Sequence, residues 1–217
     1  TYLKDTGANV YLSVVPDKNY FLAAPNGYPA MDYDKFFRLV REKTDFAGYI
    51  DLTGRLSLSS YYRTDTHWRQ EALLPVASLL ADAMDVSISG DFTPVTLDTP
   101  FSGVYRGQSA LPMQPDALTY LTNDTLESCR VYDYESSEYL PVYTLEKATG
   151  NDPYEIFLSG PKSLLRIENP NAETERKLIV FRDSFAASLI PLLAQGYSEI
   201  TLVDIRYLPS ARVGQFV

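Results

Sequence analysis

Hydrophobic and polar positions follow two rhythms along this chain, and the change between them is the first clue to its organisation. Near the start, Asn9-Val10-Tyr11-Leu12-Ser13-Val14-Val15 is rich in β-branched and aromatic residues and is closed by Pro16, which predicts a central strand of an α/β sheet. Residues 2–5 read as the tail of a helix that Gly7 stops, and the Pro, Asn and Gly residues of 21–30 predict a loop. Residues 31–44 have helical spacing. Phe36, Phe37, Leu39 and Val40 share one broad apolar face there, with Asp32 and Asp34 at the start and Arg41 and Lys43 at the end, as the helix dipole favours. Gly48-Tyr49-Ile50-Asp51-Leu52 predicts a second strand, turned by Gly54. An apolar helix over 69–84 follows, through Leu73, Leu74, Val76, Ala77, Leu79 and Leu80; Pro75 is tolerated only in a first turn, which places its start nearer Glu71. At the far end Lys177-Leu178-Ile179-Val180-Phe181 predicts a buried strand, 185–194 an apolar helix, and 199–204 another strand.

Between 85 and 169 the rhythm is different. Short apolar segments at 94–97, 103–106, 129–134, 140–145, 154–158 and 164–167 alternate with turn residues, which predicts β-hairpins or a β-rich lobe inserted between two α/β halves. There is no internal repeat.

Composition narrows the classes. A chain of 217 residues with 45% hydrophobic content can bury a core as one domain, with or without an insertion. A net charge of −9 argues against nucleic acid, whose binding rests on Lys and Arg neutralising phosphates. The lone Cys129 excludes an internal disulfide, and no run of about 18 apolar residues offers a membrane span. No glycine-rich phosphate loop supports a nucleotide, so no cofactor is expected. A first residue of Thr rather than Met suggests a processed chain whose leader or anchor has been removed. The 17 tyrosines suit stacking on sugar rings, although closing the strands of a β-rich lobe is their commoner use.

The candidate chemistry centres on Tyr61-Tyr62-Arg63-Thr64-Asp65-Thr66-His67-Trp68, which holds the only histidine and the only tryptophan. Histidine-dependent acid/base chemistry near neutral pH would have to use His67. Asp65, two residues earlier, can reach its imidazole from extended backbone or a tight turn and orient it, as in a Ser-His-Asp triad. A nucleophile candidate, Ser184, sits where the strand 177–181 turns into the following helix. Free N–H groups at a helix start favour an oxyanion there, though Ser184 or Asp183 could equally be a helix cap. Asp65 and His67 could also be two ligands of a metal, but a zinc site needs more histidine or cysteine than this chain has. Asp17, Lys18 and Asn19 follow the first strand's carboxyl end, where α/β sites gather, or form a solvated turn. Arg106 reads as a surface ion-pair partner.

Asp65-Thr66-His67-Trp68 resembles the D-x-H-W signature, and Asp183-Ser184-Phe185 the serine block, of the bacterial SGNH-hydrolase-like DHHW and alginate O-acetylation families. Val14-Val15-Pro16-Asp17-Lys18 and Ile200-Thr201-Leu202-Val203-Asp204-Ile205-Arg206-Tyr207 extend the resemblance from Leu12 to Tyr207. It implies a single α/β domain over 1–217 with an SGNH-hydrolase-like, flavodoxin-like sheet, a permuted motif order in which Asp-x-His precedes Ser, and the β-rich insertion at about 85–169. A further helix and strand are expected after Val217. It implies Ser184 as nucleophile, His67 as base and Asp65 as its orienting partner. Phe185, Arg182 and Arg63 are the expected oxyanion or substrate contacts, with Tyr62, Trp68 and Lys18 beside them. Arg182 stands where SGNH enzymes carry the Gly of Gly-Asp-Ser, so the oxyanion donors are expected to be arranged differently. The implied activity is acyl transfer at O-acyl, above all O-acetyl, esters of a cell-envelope or secreted polysaccharide, as esterase or O-acetyltransferase. The implied setting is extracytoplasmic, with an acyl-donor membrane protein as partner. The alternative is a non-catalytic carbohydrate-binding or assembly protein on the same fold.

Overall fold

The computed structural model describes residues 7–215; the helix tail expected at 2–5 lies outside them. The chain divides into two compact units between Tyr61 and Tyr62. In the first unit, strand β1 (Tyr11–Leu12) pairs in parallel with β2 (Gly48–Tyr49). The long strand expected over 9–15 thus forms a ladder only at its middle. Its partner is two residues long and is ended by Asp51, which accepts hydrogen bonds from the Thr53 N–H and hydroxyl and starts a turn.

Two helices complete this unit. The loop expected at 21–30 is instead largely helix α1 (Lys18–Asn26): Asp17 caps it by accepting the Tyr20 N–H, and left-handed Gly27 ends it two residues after Pro25. Helix α2 (Tyr33–Lys43) matches the sequence expectation, with Asp32 as its N-cap. The Tyr20, Phe21, Tyr33, Phe37 and Tyr61 rings meet edge-on or tilted, and the Tyr61 hydroxyl donates to the Pro16 carbonyl at 2.5 Å.

The second unit opens with the signature loop and helix α3 (Leu74–Ala83), which carries Pro75 in its first turn, where the missing N–H costs nothing. Strands β3 (Thr93–Phe101) and β4 (Asp116–Thr122) form an antiparallel ribbon whose connected end sets Phe101 opposite Asp116. Between them lies α4 (Val104–Ser109), where a strand was expected at 103–106. The N–H groups of Val104 and Tyr105 bond to Asp65 and Thr64 instead of to a neighbouring strand. After α5 (Asp124–Ser128) come β5 (Arg130–Asp133) and β6 (Glu138–Leu140). The strand expected at 154–158 is a 3-10 turn, Pro153–Ile156, because Asp152 caps the Tyr154 N–H and Pro153 fixes the first turn; only Tyr143 and Phe157 keep a bridge.

Strands β7 (Leu164–Glu168), β8 (Lys177–Phe181) and β9 (Glu199–Val203) join β5 and β6 in a five-stranded sheet of order β6-β5-β7-β9-β8. All pairs are antiparallel except β8 with β9. Leu202 and Val203 of β9 are fully buried, each worth roughly 1.5–3 kcal/mol in apolar transfer. β8 was expected to be buried but is the sheet's edge, and Ile179 and Phe181 are exposed. The single helix expected at 185–194 is α6 (Ala186–Leu189) followed by a 3-10 segment, Ile190–Gly196. Pro191 has no N–H to continue the α-helical ladder. A last short helix, α7 (Ser210–Val213), buries Val213 with Leu164, Val203 and Leu208. No helix among the described residues is long and apolar enough to cross a membrane.

Candidate active site

The site lies within the second unit, where the loop around Asp65 meets the turn after β8. Asp65 and His67 adopt the tight-turn arrangement. One carboxylate oxygen, Oδ1, accepts both the His67 backbone N–H at 2.9 Å and the ring Nδ1 at 2.6 Å. The other oxygen accepts the Val104 N–H at 3.0 Å. Burial alone would raise the Asp65 carboxyl, but the bonds from the His67 ring, the His67 backbone and Val104 outweigh it and hold the group below its ordinary range. An ionised Asp65 can only accept, so Nδ1 must donate. In the neutral ring Nε2 is then an acceptor, and it stands 2.9 Å from Ser184 Oγ, 117 residues later in the chain. The three groups form one continuous line of hydrogen bonds, with Asp65 and His67 buried and Ser184 partly open to solvent. Such a line can take a proton from the serine hydroxyl as it attacks an electrophile.

The connected end of the β3–β4 ribbon holds the loop in place. The Asp116 carboxylate accepts the Arg63 N–H (3.1 Å), the Thr64 N–H (2.7 Å), the Thr64 hydroxyl (2.7 Å) and Arg69 Nη2 (3.0 Å). The Gly103 N–H donates to the Thr64 hydroxyl, and the Tyr105 N–H to the Thr64 carbonyl. Gly103 is needed for the close approach: a Cβ there would fall 2.2 Å from the Asp65 Cβ and 2.7 Å from its Cα. On the other side of the imidazole, Tyr154 stacks face to face on His67, with centroids 3.9 Å apart and planes 10° apart. Its hydroxyl shares a 2.7 Å hydrogen bond with Ser188 Oγ, which also accepts the Trp68 indole N–H at 3.0 Å.

The remaining expected contacts fall in different places. Trp68 is buried behind the site, its indole N–H also donating to the Phe185 carbonyl at 2.9 Å. The Phe185 ring lies tilted against His67, and its N–H donates to the Asp183 carboxylate at 3.0 Å. Arg182 is buried below the serine turn: its guanidinium donates to the Asp183 and Lys162 carbonyls, and its Nε has no partner. Burial lowers its pKa, opposed by the nearby Asp204 carboxylate. The Arg63 guanidinium donates to the Gln114 carbonyl, away from the histidine. Tyr62 belongs to the apolar cluster that includes Phe101, Tyr154, Phe157 and Ala187, beneath the site. Lys18 begins α1 in the first unit. Arg106, expected as an ion-pair partner, instead donates from Nη1 to the Ser102 hydroxyl, and no ion pair includes it among the described residues.

Comparison with known proteins adds a second line. Neither a family model nor a curated sequence matches the chain. Solved structures do. A DHHW family protein from Eubacterium siraeum superposes with a TM-score of 0.79 at 23% identity, over 97% of this chain and 75% of that one. Bacillus cereus PatB1 with a sulfonyl adduct gives 0.78 at 18% identity, over 99% and 78%. The fold is that of the DHHW protein and PatB1. The O-acetyltransferase domain of Pseudomonas putida AlgJ is more distant, at 0.50 and 16% identity, over 91% of this chain and 62% of that one.

Relative to the sequence reading, the DHHW-like fold has further residues at the site. Asp116, Gly103, Val104 and Tyr154 all come from the segment read as an insertion. Asn151-Asp152-Pro153 signals a turn ahead of Tyr154, but nothing in the local pattern says that its ring will lie on His67. The pairing of Asp116 with residues 63–64 spans about fifty positions and leaves no local trace.

Proposed function

We propose that this chain is a serine-dependent acyl-transfer enzyme of the extracytoplasmic space, moving or removing O-acetyl groups on a polysaccharide. The unbroken Asp65–His67–Ser184 hydrogen-bond line supports this reading most directly. Ser184 Oγ attacks the acyl carbonyl carbon while its proton passes to His67 Nε2, and Asp65 holds the ring and stabilises the imidazolium. The tetrahedral intermediate collapses, and the leaving alkoxide takes the proton from His67. That leaves acyl-Ser184. A sugar hydroxyl or water then gives its proton to His67 and attacks the acyl carbon, releasing the new ester or the acid and restoring the serine. AlgJ's O-acetyltransferase domain and PatB1's sulfonyl adduct, on related folds, support an acetyl group and a fold open to electrophiles. The polysaccharide also follows the sequence resemblance.

The test is release of p-nitrophenol from p-nitrophenyl acetate by the intact protein, with and without prior exposure to a sulfonyl fluoride. The proposal expects turnover that the sulfonyl fluoride abolishes and that Ser184→Ala reduces by roughly 10⁴-fold or more. Equal rates for wild type and Ser184→Ala would overturn it in favour of a non-catalytic carbohydrate-binding or assembly role.

A further inference from the structure

A single stretch of chain, residues 152–163, reaches both the base and the turn that carries the nucleophile. At its start Asp152 caps the 3-10 turn that lays Tyr154 on the His67 ring. Near its finish the Lys162 carbonyl accepts Arg182 Nη2 at 3.2 Å, and the same guanidinium donates from Nη1 to the carbonyl of Asp183, the residue before Ser184. The Ser163 carbonyl then accepts the Asp204 N–H, just past β9, at 2.9 Å. One ring thus faces the base and one carbonyl holds the arginine under the serine turn, with residues 155–161 between them.

Between these two anchor points the backbone makes a strained corner. Leu158, Ser159 and Gly160 have φ of 50°, 60° and 82°. Glycine takes such values freely, but leucine and serine do not. Three in succession occur nowhere else among the described residues. Gly160 meets a second requirement, since a Cβ there would fall 2.8 Å from Glu155 Cγ and Cδ. The corner is held by what lies under it. Leu158 is buried and its N–H donates to the Val142 carbonyl at 3.1 Å, while the Thr144 N–H donates to the Ile156 carbonyl at 2.9 Å. At the apex the buried Ser159 hydroxyl shares a 2.6 Å hydrogen bond with the Thr144 hydroxyl. Residues other than glycine persist in this region only where their surroundings over-determine them, and such strain gathers at functional sites.

We propose that Ser159 is a positioning residue: bonded to Thr144, it fixes the left-handed corner and with it the spacing between the Tyr154 ring on His67 and the Lys162 carbonyl that holds Arg182. It touches neither the substrate nor the reacting atoms. A relaxed corner lets Tyr154 slide off the imidazole and loosens Arg182 under the serine turn, so that base and nucleophile lose their shared register. The inference rests on the acyl-transfer reading for its effect on rate, but the placement of the ring can be measured without turnover. His67 is the only histidine in the chain, so its ring protons give a single set of NMR signals.

The experiment compares Ser159→Ala, Ser159→Gly, Thr144→Val and Thr144→Ser with the wild type in the full chain, by urea unfolding, by the His67 ring-proton shifts, and by kcat and KM for p-nitrophenyl acetate. In Ser159→Ala and Thr144→Val, which lose the bond, the His67 signals should move downfield as shielding by the stacked Tyr154 ring weakens. Their kcat should fall roughly tenfold with KM within about twofold of the wild type. Thr144→Ser keeps the hydroxyl and should keep both the signals and the rate. Ser159→Gly should resist urea better than Ser159→Ala, because glycine takes a φ of 60° without strain, yet share its shifted signals and its loss of kcat. Recovered stability without recovered rate separates positioning from a merely structural role. Where Ser159→Ala does not fold, Thr144→Val reads the same bond from its other side. Unmoved His67 signals in the bond-deleted variants, a kcat equal to that of an active wild type, or a rate in Ser159→Gly that returns with its stability would overturn the inference. Shifted signals beside a wild type that turns over no ester would support the placement and count against the acyl-transfer reading alone.

Discussion

The two halves of the candidate site are built in opposite ways. The Asp65–His67 half is buried and held from every side: Asp116 grips residues 63, 64 and 69 on either side of it with four hydrogen bonds, Gly103 and Val104 close on the carboxylate, and Tyr154 covers the imidazole. The Ser184 half hangs from the exposed edge strand β8, its turn held by the Asp183 carboxylate on the Phe185 N–H and by Arg182 from below. The difference follows from what each half does in the proposed mechanism. A base must keep one tautomer and one orientation, which favours rigid anchoring. A nucleophile must be reached by substrate, which favours an edge.

This comparison can be broken by substitutions whose effects it ranks. Asp65→Asn removes the ionised acceptor that fixes the His67 tautomer and should lower kcat for p-nitrophenyl acetate by roughly 10³–10⁴-fold with the fold intact by circular dichroism. Gly103→Ala forces a methyl group into Asp65. It should destabilise the protein by about 1–3 kcal/mol in urea unfolding and lower kcat more than it raises KM. Tyr154→Leu uncovers one face of the imidazole and should lower kcat roughly tenfold; Tyr154→Phe, which keeps the stack and loses only the bond to Ser188, should recover most of it. Asp183→Ala, on the loosely held half, should change stability by no more than about 1 kcal/mol. A larger loss there than at Gly103 would invert the comparison.

Acid unfolding sharpens the same contrast. In Asp65 and Asp116 burial raises the carboxyl, but hydrogen bonds from His67 and Val104, and from Thr64, Arg63 and Arg69, outweigh it, so both folded pKa values are depressed. A depressed folded pKa contributes stability that is present above the unfolded value and is lost as pH falls through the folded one. Stability should therefore decline below about pH 4. The decline should be shallower in Asp116→Asn, measured by urea midpoints from pH 7 to pH 2.5.

Much of the Asp65–His67–Ser184 hydrogen-bond line was legible in the sequence because its parts are local. Asp65 and His67 are two residues apart, and β8 and the following turn carry Ser184 within a single strand-turn-helix pattern. The supporting half was not. Residues 103–106 have a strand-like composition, but their N–H groups are taken by Thr64 and Asp65, a tertiary choice that no local propensity records. Pro25 suggested a loop, although Asp17 and Gly27 together cap a helix that contains it. The exposed face of β8 was hidden in the sequence for a related reason. An apolar run has the same composition at the edge of a sheet as at its centre, and only the strand order separates the two.

The central claim is that Ser184 and His67 act as one chemical unit. The most direct measurement exposes the intact protein briefly to p-nitrophenyl acetate, quenches in acid and maps the acetylated peptide by mass spectrometry. The account predicts one acetyl group on Ser184 in the wild type and at least a roughly hundredfold slower appearance in His67→Ala. An unmodified Ser184, or equal labelling in the two proteins, would contradict it.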